Sequence, residues 1–92
     1  MTMAERMTDK LRAAFAPDRL ALRDDSERHR GHGGWREGGE THFHLVMVSR
    51  AFEGQGRVAR QRAVNAVLRD ELAERVHALS MELRTPAEAD GG

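Results

Sequence analysis

Apolar residues recur at Met3, Met7, Leu11 and Phe15, an i, i+4 spacing that lines one side of a helix, and Ala14 widens the stripe. Pro17 ends the pattern, because the residue before a proline is pushed out of the helical region. The methionine-rich stripe reads as core packing rather than as a partner groove. Arg19 to Asp24 alternates instead, with Leu20 and Leu22 on one face and Ala21 and Arg23 on the other, which predicts a short strand. From Asp25 to Gly39 the pattern stops: Gly31, Gly33, Gly34, Gly38 and Gly39 stand among charges with His29, His32 and Trp35, so this stretch is a long loop. Thr41 to Ser49 alternates again and is apolar on both faces toward its end, as suits a central strand.

Beyond Phe52-Glu53-Gly54 the period becomes helical. Val64, Val67, Leu68 and Leu72 fall on one side while arginines and carboxylates fill the other. It then reverts to two, as His77, Leu79, Met81 and Leu83 alternate with Ala78, Ser80, Glu82 and Arg84 until Pro86 stops the run. The order is α-β-β-α-β. The first two strands can pair antiparallel across the long loop, and the helical crossover makes the third parallel to the second. The expected architecture is one small α+β domain over residues 1–86, a three-stranded mixed sheet packed on helices. Residues 87–92 have nothing to bury and are expected to fray as a flexible tail.

At 92 residues the chain is one domain that buries only roughly two thirds of its unfolded surface, so a large enzyme cleft is not expected. Fifteen basic residues balance fifteen acidic ones, leaving no general pull toward nucleic acid or anionic lipid. The absence of cysteine excludes disulfides, thiolate ligands and thiol catalysis, so histidine is the main borderline ligand left. No apolar run reaches the ~20 residues of a membrane span and the first residues form no signal peptide, which points to a cytoplasmic protein with no membrane partner. No nucleophile stands in a recognisable setting, and Ser49 and Ser80 need no more than hydrogen-bonding roles. The chain reads as a binding module, not an enzyme.

The topology predicts a meeting of histidines. The long loop delivers the chain to the start of the second strand, and a parallel third strand starts at the same edge. His29, His32, His42 and His77 would then gather at one end of the domain. Two or three imidazoles make an incomplete metal site that invites a partner's ligands, whereas ordinary solvated or sheet histidines are the plain alternative, for His42 and His44 above all.

The run His42-Phe43 with Val46 to Ser49, then Phe52-x-Gly54, Arg60-x-Arg62-x-x-Asn65, Glu71-Leu72 and Val76-His77-Ala78-Leu79-Ser80 resembles the BolA family from about Met7 to Pro86. The resemblance implies a fold similar to a class II KH module and two activities. One is pairing with a monothiol glutaredoxin around a bridging [2Fe–2S] cluster, in iron–sulfur trafficking and iron-responsive regulation. The other is nucleic-acid binding as a transcriptional regulator. It also implies that His77 is the constant cluster ligand and that a loop histidine is the second, carried here to His29, with His32 in reserve. The partner's cysteine and its glutathione would supply the thiolates, so no cluster is expected to stay firmly on the free chain, a monomer or weak homodimer. Imidazole at one iron raises a cluster's potential and makes its ligation depend on pH. One departure stands out: the family usually has Arg-His-Arg where this chain has Arg60-Gln61-Arg62.

For the nucleic-acid alternative the candidates are Gly54, Gly56, Arg57, Arg60 and Arg62, with Arg69 extending the basic face. A KH module grips phosphates with Gly-x-x-Gly, but here the spacing is Gly54-Gln55-Gly56, Glu53 adds a negative charge, and aromatic platforms for base stacking are lacking.

Overall fold

The computed structural model describes residues 1–26 and 39–91 of the chain. The first helix, α1 (Met3–Phe15), begins at a capping box in which Thr2 Oγ1 accepts from Glu5 N–H and the Glu5 carboxylate accepts from Thr2 N–H. It buries Met3, Met7 and Leu11, the stripe expected from the spacing. Its end turns at Ala16, which takes the left-handed conformation (φ 42°) just before Pro17.

Strands β1 (Arg19–Asp24), β2 (His42–Val48) and β3 (Ala78–Arg84) form a single sheet in the order β1-β2-β3. β1 runs antiparallel to β2 and β3 parallel to it, as the crossover argument requires. The register sets Leu22 beside Leu45 and Leu45 beside Met81, so one face carries the core. Met7, Leu11, Leu45, Met47, Phe52, Val64 and Leu68 are fully enclosed, each worth roughly 1.5–3 kcal/mol of burial. Phe15 closes one end against Phe52, with ring centres 5.3 Å apart. On the opposite face Arg19, Arg23, Ser80, Glu82 and Arg84 stay exposed.

Two features differ from the sequence reading. The single helical run divides at Leu68 (φ −100°, ψ 17°) into α2 (Arg57–Val67) and α3 (Arg69–Glu74). Leu68 keeps its side chain in the core while α3 carries Glu71 inside against α1, so this carboxylate leaves the polar side expected for it. The tail is the second correction. Pro86–Asp90 forms a short helix, α4, across the expected 86/87 boundary, with Pro86 in its first turn and a capping box between Thr85 and Glu88. Arg60 ties it down: its guanidinium donates to both Glu88 carboxylate oxygens, at 2.6 and 3.1 Å.

Candidate functional site

His77 sits where α3 hands the chain to β3. Val76 is buried just before it, and the backbone N–H groups of His77 and Ala78 both donate to Thr41 O, at 2.7 and 3.1 Å. The backbone is therefore fixed on both sides of an imidazole that faces solvent. The parallel register sets Ala78 beside His42, and the His42 ring lies against that of His77, centres 5.4 Å apart and planes tilted by 52°. His42 is buried, and its Nδ1 lies 2.9 Å from the hydroxyl of Thr41, itself fully enclosed.

The roots of the long loop are fastened beside this pair. Asp24 accepts from Ser26 N–H and from Glu40 N–H, at 2.9 and 3.0 Å, and Asp25 N–H donates to His42 O. Glu40 (φ 60°) turns its carboxylate onto Met3 N–H and Ala4 N–H, two amides that the first turn of α1 leaves without helical partners. Arg75 donates to Gly39 O from Nε and a terminal nitrogen, at 3.0 and 2.6 Å. Residues 24–26 and 39–41 thus form a braced platform next to His77.

Of the histidines expected to gather, His42 and His77 do meet. His29 and His32 lie outside the described residues. His44 does something else: on the open sheet face its Nδ1 is 2.6 Å from Ser80 Oγ and its Nε2 2.8 Å from Glu82 Oε2. The hydrogen bond from His44 holds the Glu82 carboxyl below the usual carboxylate range.

The candidates for phosphate contact separate in the same way. Arg57 and Arg62 are exposed on α2, and Gly54 (φ 78°) makes the turn before it. Gly56 is the N-cap, with no side-chain cap. Arg60, however, is committed to the fold: besides Glu88 it donates to Gln55 O and Leu83 O, and it lies over the Phe52 ring. That removes Arg60 from any phosphate-binding set. A groove between α2 and the outer strand β3 is lined by Arg57, Gln61, Asn65, Arg69, Leu79 and Met81.

The fold, the motifs and the solvent-facing imidazole before the third strand converge with the comparison to known families, in which the BolA-like protein family matches residues 11–88. The chain belongs to the BolA family. It is similar to an uncharacterised protein of Sinorhizobium encoded in the cobS 5′ region, 43% identical over 89 residues that cover 96% of each chain. It is also similar to the DNA-binding transcriptional regulator BolA of Escherichia coli K12, 40% identical over 91 residues, covering 99% of this chain and 83% of that one. Among solved structures, the BolA domain of SufE1 from Arabidopsis thaliana superposes with a TM-score of 0.87 at 41% identity, covering 96% of each chain. The chain spans about half the length of several other curated BolA-like relatives it matches.

Within this BolA-like fold, two contributors escape sequence reasoning. The commitment of Arg60 depends on where α4 docks. The burial of Glu71 depends on Arg6 and Lys10, more than sixty residues away. The Asp24-x-Ser26 spacing was the one local signal for the braced loop root, being the pattern of an Asx turn.

Proposed function

We propose that this BolA-like domain is an adaptor that pairs with a monothiol glutaredoxin and shares a bridging [2Fe–2S] cluster with it, in iron–sulfur trafficking and iron-responsive regulation. The observation that carries this reading is the exposed imidazole of His77, held rigidly beside the fastened roots of the segment that bears His29 and His32. The donor set suits such a group: imidazole is a good borderline ligand for iron, and a chain without cysteine relies on a partner for thiolates. When bound, the cluster supplies one-electron redox chemistry and a coordination bridge between the two proteins. His77 and His29 are the ligands in this reading, with His32 in reserve, and the domain binds without turnover.

The test is to mix the purified chain with a cluster-loaded monothiol glutaredoxin and follow visible absorption and circular dichroism. Wild type changes the spectrum, His77→Ala abolishes the change, and His29→Ala against His32→Ala identifies the second ligand. A wild-type chain that neither alters the spectrum nor co-elutes with the partner refutes the proposal.

A second reading has its own support. Arg57 and Arg62 stand exposed on α2 and Arg69 at the start of α3, and the Escherichia coli relative is named as a DNA-binding regulator. Without Arg60 this basic face has fewer cations than the sequence offers. Backbone-type binding would weaken steeply with ionic strength, whereas cluster-bridged pairing would survive it.

A further inference from the structure

The sheet is open along its outer edge where β3 passes α2. Ala78 N–H donates to Thr41 O and Arg84 O accepts from Ser49 N–H, so the even-numbered residues of β3 turn their backbone groups inward, toward β2 and the residues that flank it. The odd-numbered residues turn theirs outward. At Leu83 the outward carbonyl is taken, because Arg60 donates to it at 3.1 Å. At Leu79 and Met81 the N–H and C=O groups face outward with no further strand beside them, since β3 ends the three-stranded order. Such an edge is a template for one more strand.

The groove beside this edge selects what fits it. Its floor is the half-buried pair Leu79 and Met81, and its wall is the i, i+4 row Arg57, Gln61, Asn65 and Arg69, which runs from the start of α2 to the start of α3. None of the residues lining it is acidic. The nearby carboxylates are engaged elsewhere: Asp70 and Glu74 with Lys10 and Arg6, Glu82 with His44, and Glu88 with Arg60. Arg57 and Arg69 are exposed and make no ion pair among the described residues. We propose that this edge takes an extended acidic segment of a partner protein as a fourth strand, with the peptide backbone on Leu79 and Met81 and its carboxylates on Arg57 and Arg69. Every second side chain of such a strand faces the helical wall. Two carboxylates four residues apart stand about 14 Å apart, against about 18 Å between the ends of the row, a gap that two arginine side chains span. The recognised pattern is acidic-x-apolar-x-acidic, the apolar residue lying over Leu79 and Met81. A second copy of this chain fits poorly, because it sets two arginine-ended rows against each other. The proposal needs neither His77 nor a cluster, and it competes with the nucleic-acid reading for Arg57 and Arg69.

The probe is the blocked peptide acetyl-Thr-Glu-Thr-Val-Thr-Glu-Thr-amide, titrated into the full chain without glutaredoxin and followed by amide NMR. The expected result is a set of shifts centred on the amides of Leu79 and Met81, with slowed hydrogen exchange there, and binding weakened about tenfold by Arg57→Ala/Arg69→Ala, as the loss of two exposed ion pairs allows. A strand offers its N–H groups to a neighbour only at alternate residues, so N-methylation separates a ladder from plain charge attraction. Methylating either the Glu and Val amides or the Thr amides abolishes binding, and methylating the other set leaves it. This arm uses the wild-type chain, so it decides the matter even if the arginine variant does not fold. Peptides methylated in either set that bind equally well, shifts spread over other basic surfaces, or no binding at millimolar peptide overturn the proposal. An eight-nucleotide oligothymidine that shifts the Arg57 to Arg69 row while the peptide shifts nothing overturns it too and gives the groove to nucleic acid.

Discussion

Glu71 clamps α3 to α1 two turns before β3 begins, on the segment that leads into His77. Its carboxylate is fully enclosed; Arg6 Nε donates to Oε2 at 2.6 Å, and Lys10 Nζ lies 2.7 and 3.0 Å from the two oxygens. Burial raises the Glu71 pKa, but the hydrogen bonds from Lys10 and Arg6 outweigh it and the carboxyl ends below its ordinary value. Glu71→Gln keeps the volume and removes the charge, so no cavity term enters. Hydrogen bonds to charged groups contribute roughly 1.5–3 kcal/mol each, and discounting two cations that are about a third exposed and recover water, the expected loss is about 2–3 kcal/mol. In a domain of this size that lowers Tm by roughly 10–20 °C in a thermal melt followed by circular dichroism. Glu74→Gln, which breaks an exposed contact to the same Arg6, is the control and lowers Tm far less. The pH dependence has a definite sign. A depressed folded-state pKa gives stability that is present above the ordinary value of 4.5 and is lost as the pH falls through the folded one. The gap between wild type and Glu71→Gln is therefore flat from neutral pH to about pH 5 and narrows below it. A variant that melts within about 2 °C of wild type at neutral pH, or a gap that persists unchanged at about pH 3, would show that the clamp contributes little.

Two further outcomes follow from the loop root and the C-terminal latch. Gly39 has φ 73°, and a Cβ there would lie 2.8 Å from Ser26 Oγ and 3.2 Å from an Asp24 oxygen, so Gly39→Ala combines a left-handed backbone penalty with displacement of the brace. It is expected to cost about 1–3 kcal/mol in urea denaturation, and a Cm equal to wild type would refute the strain argument. The hydrogen bonds from Arg60 pull the Glu88 carboxyl down to about 2, so a carboxyl-carbon NMR titration should place Glu88 far below the other exposed glutamates. Arg60→Ala should return Glu88 toward 4.5 and speed amide exchange at Ala89 and Gly91; a Glu88 that already titrates near 4.5 in wild type would mean that the latch is open in solution.

The elements were legible because each rests on a local rule. The Met3-Met7-Leu11 stripe has only one helical reading, and the alternation in 42–48 sets Phe43, Leu45 and Met47 together on one face. The parallel pairing of β2 with β3 was legible too, since a helical crossover admits little else. The tail was misread although its signal was present: Thr85-Pro86 followed by Glu88 is a capping box with proline in the first turn, a local motif that outweighs a lack of apolar residues.

For the site, the amino-acid order alone determined that His77 would open the third strand beside the returning loop, because topology places the starts of two parallel strands at one edge. Which partner each polar group takes was decided only by the tertiary structure. Arg60 and Arg57 are equally basic in sequence, yet one is locked to Glu88 and the other is exposed. Glu71 and Glu74 share one short helix, yet one is enclosed by cations of α1 and the other faces water. His42 and His44 point to the same strand face, yet one meets His77 and the other Ser80 and Glu82. Periodicity reports which way a side chain points, and it is the packing of distant segments that supplies what the side chain meets there.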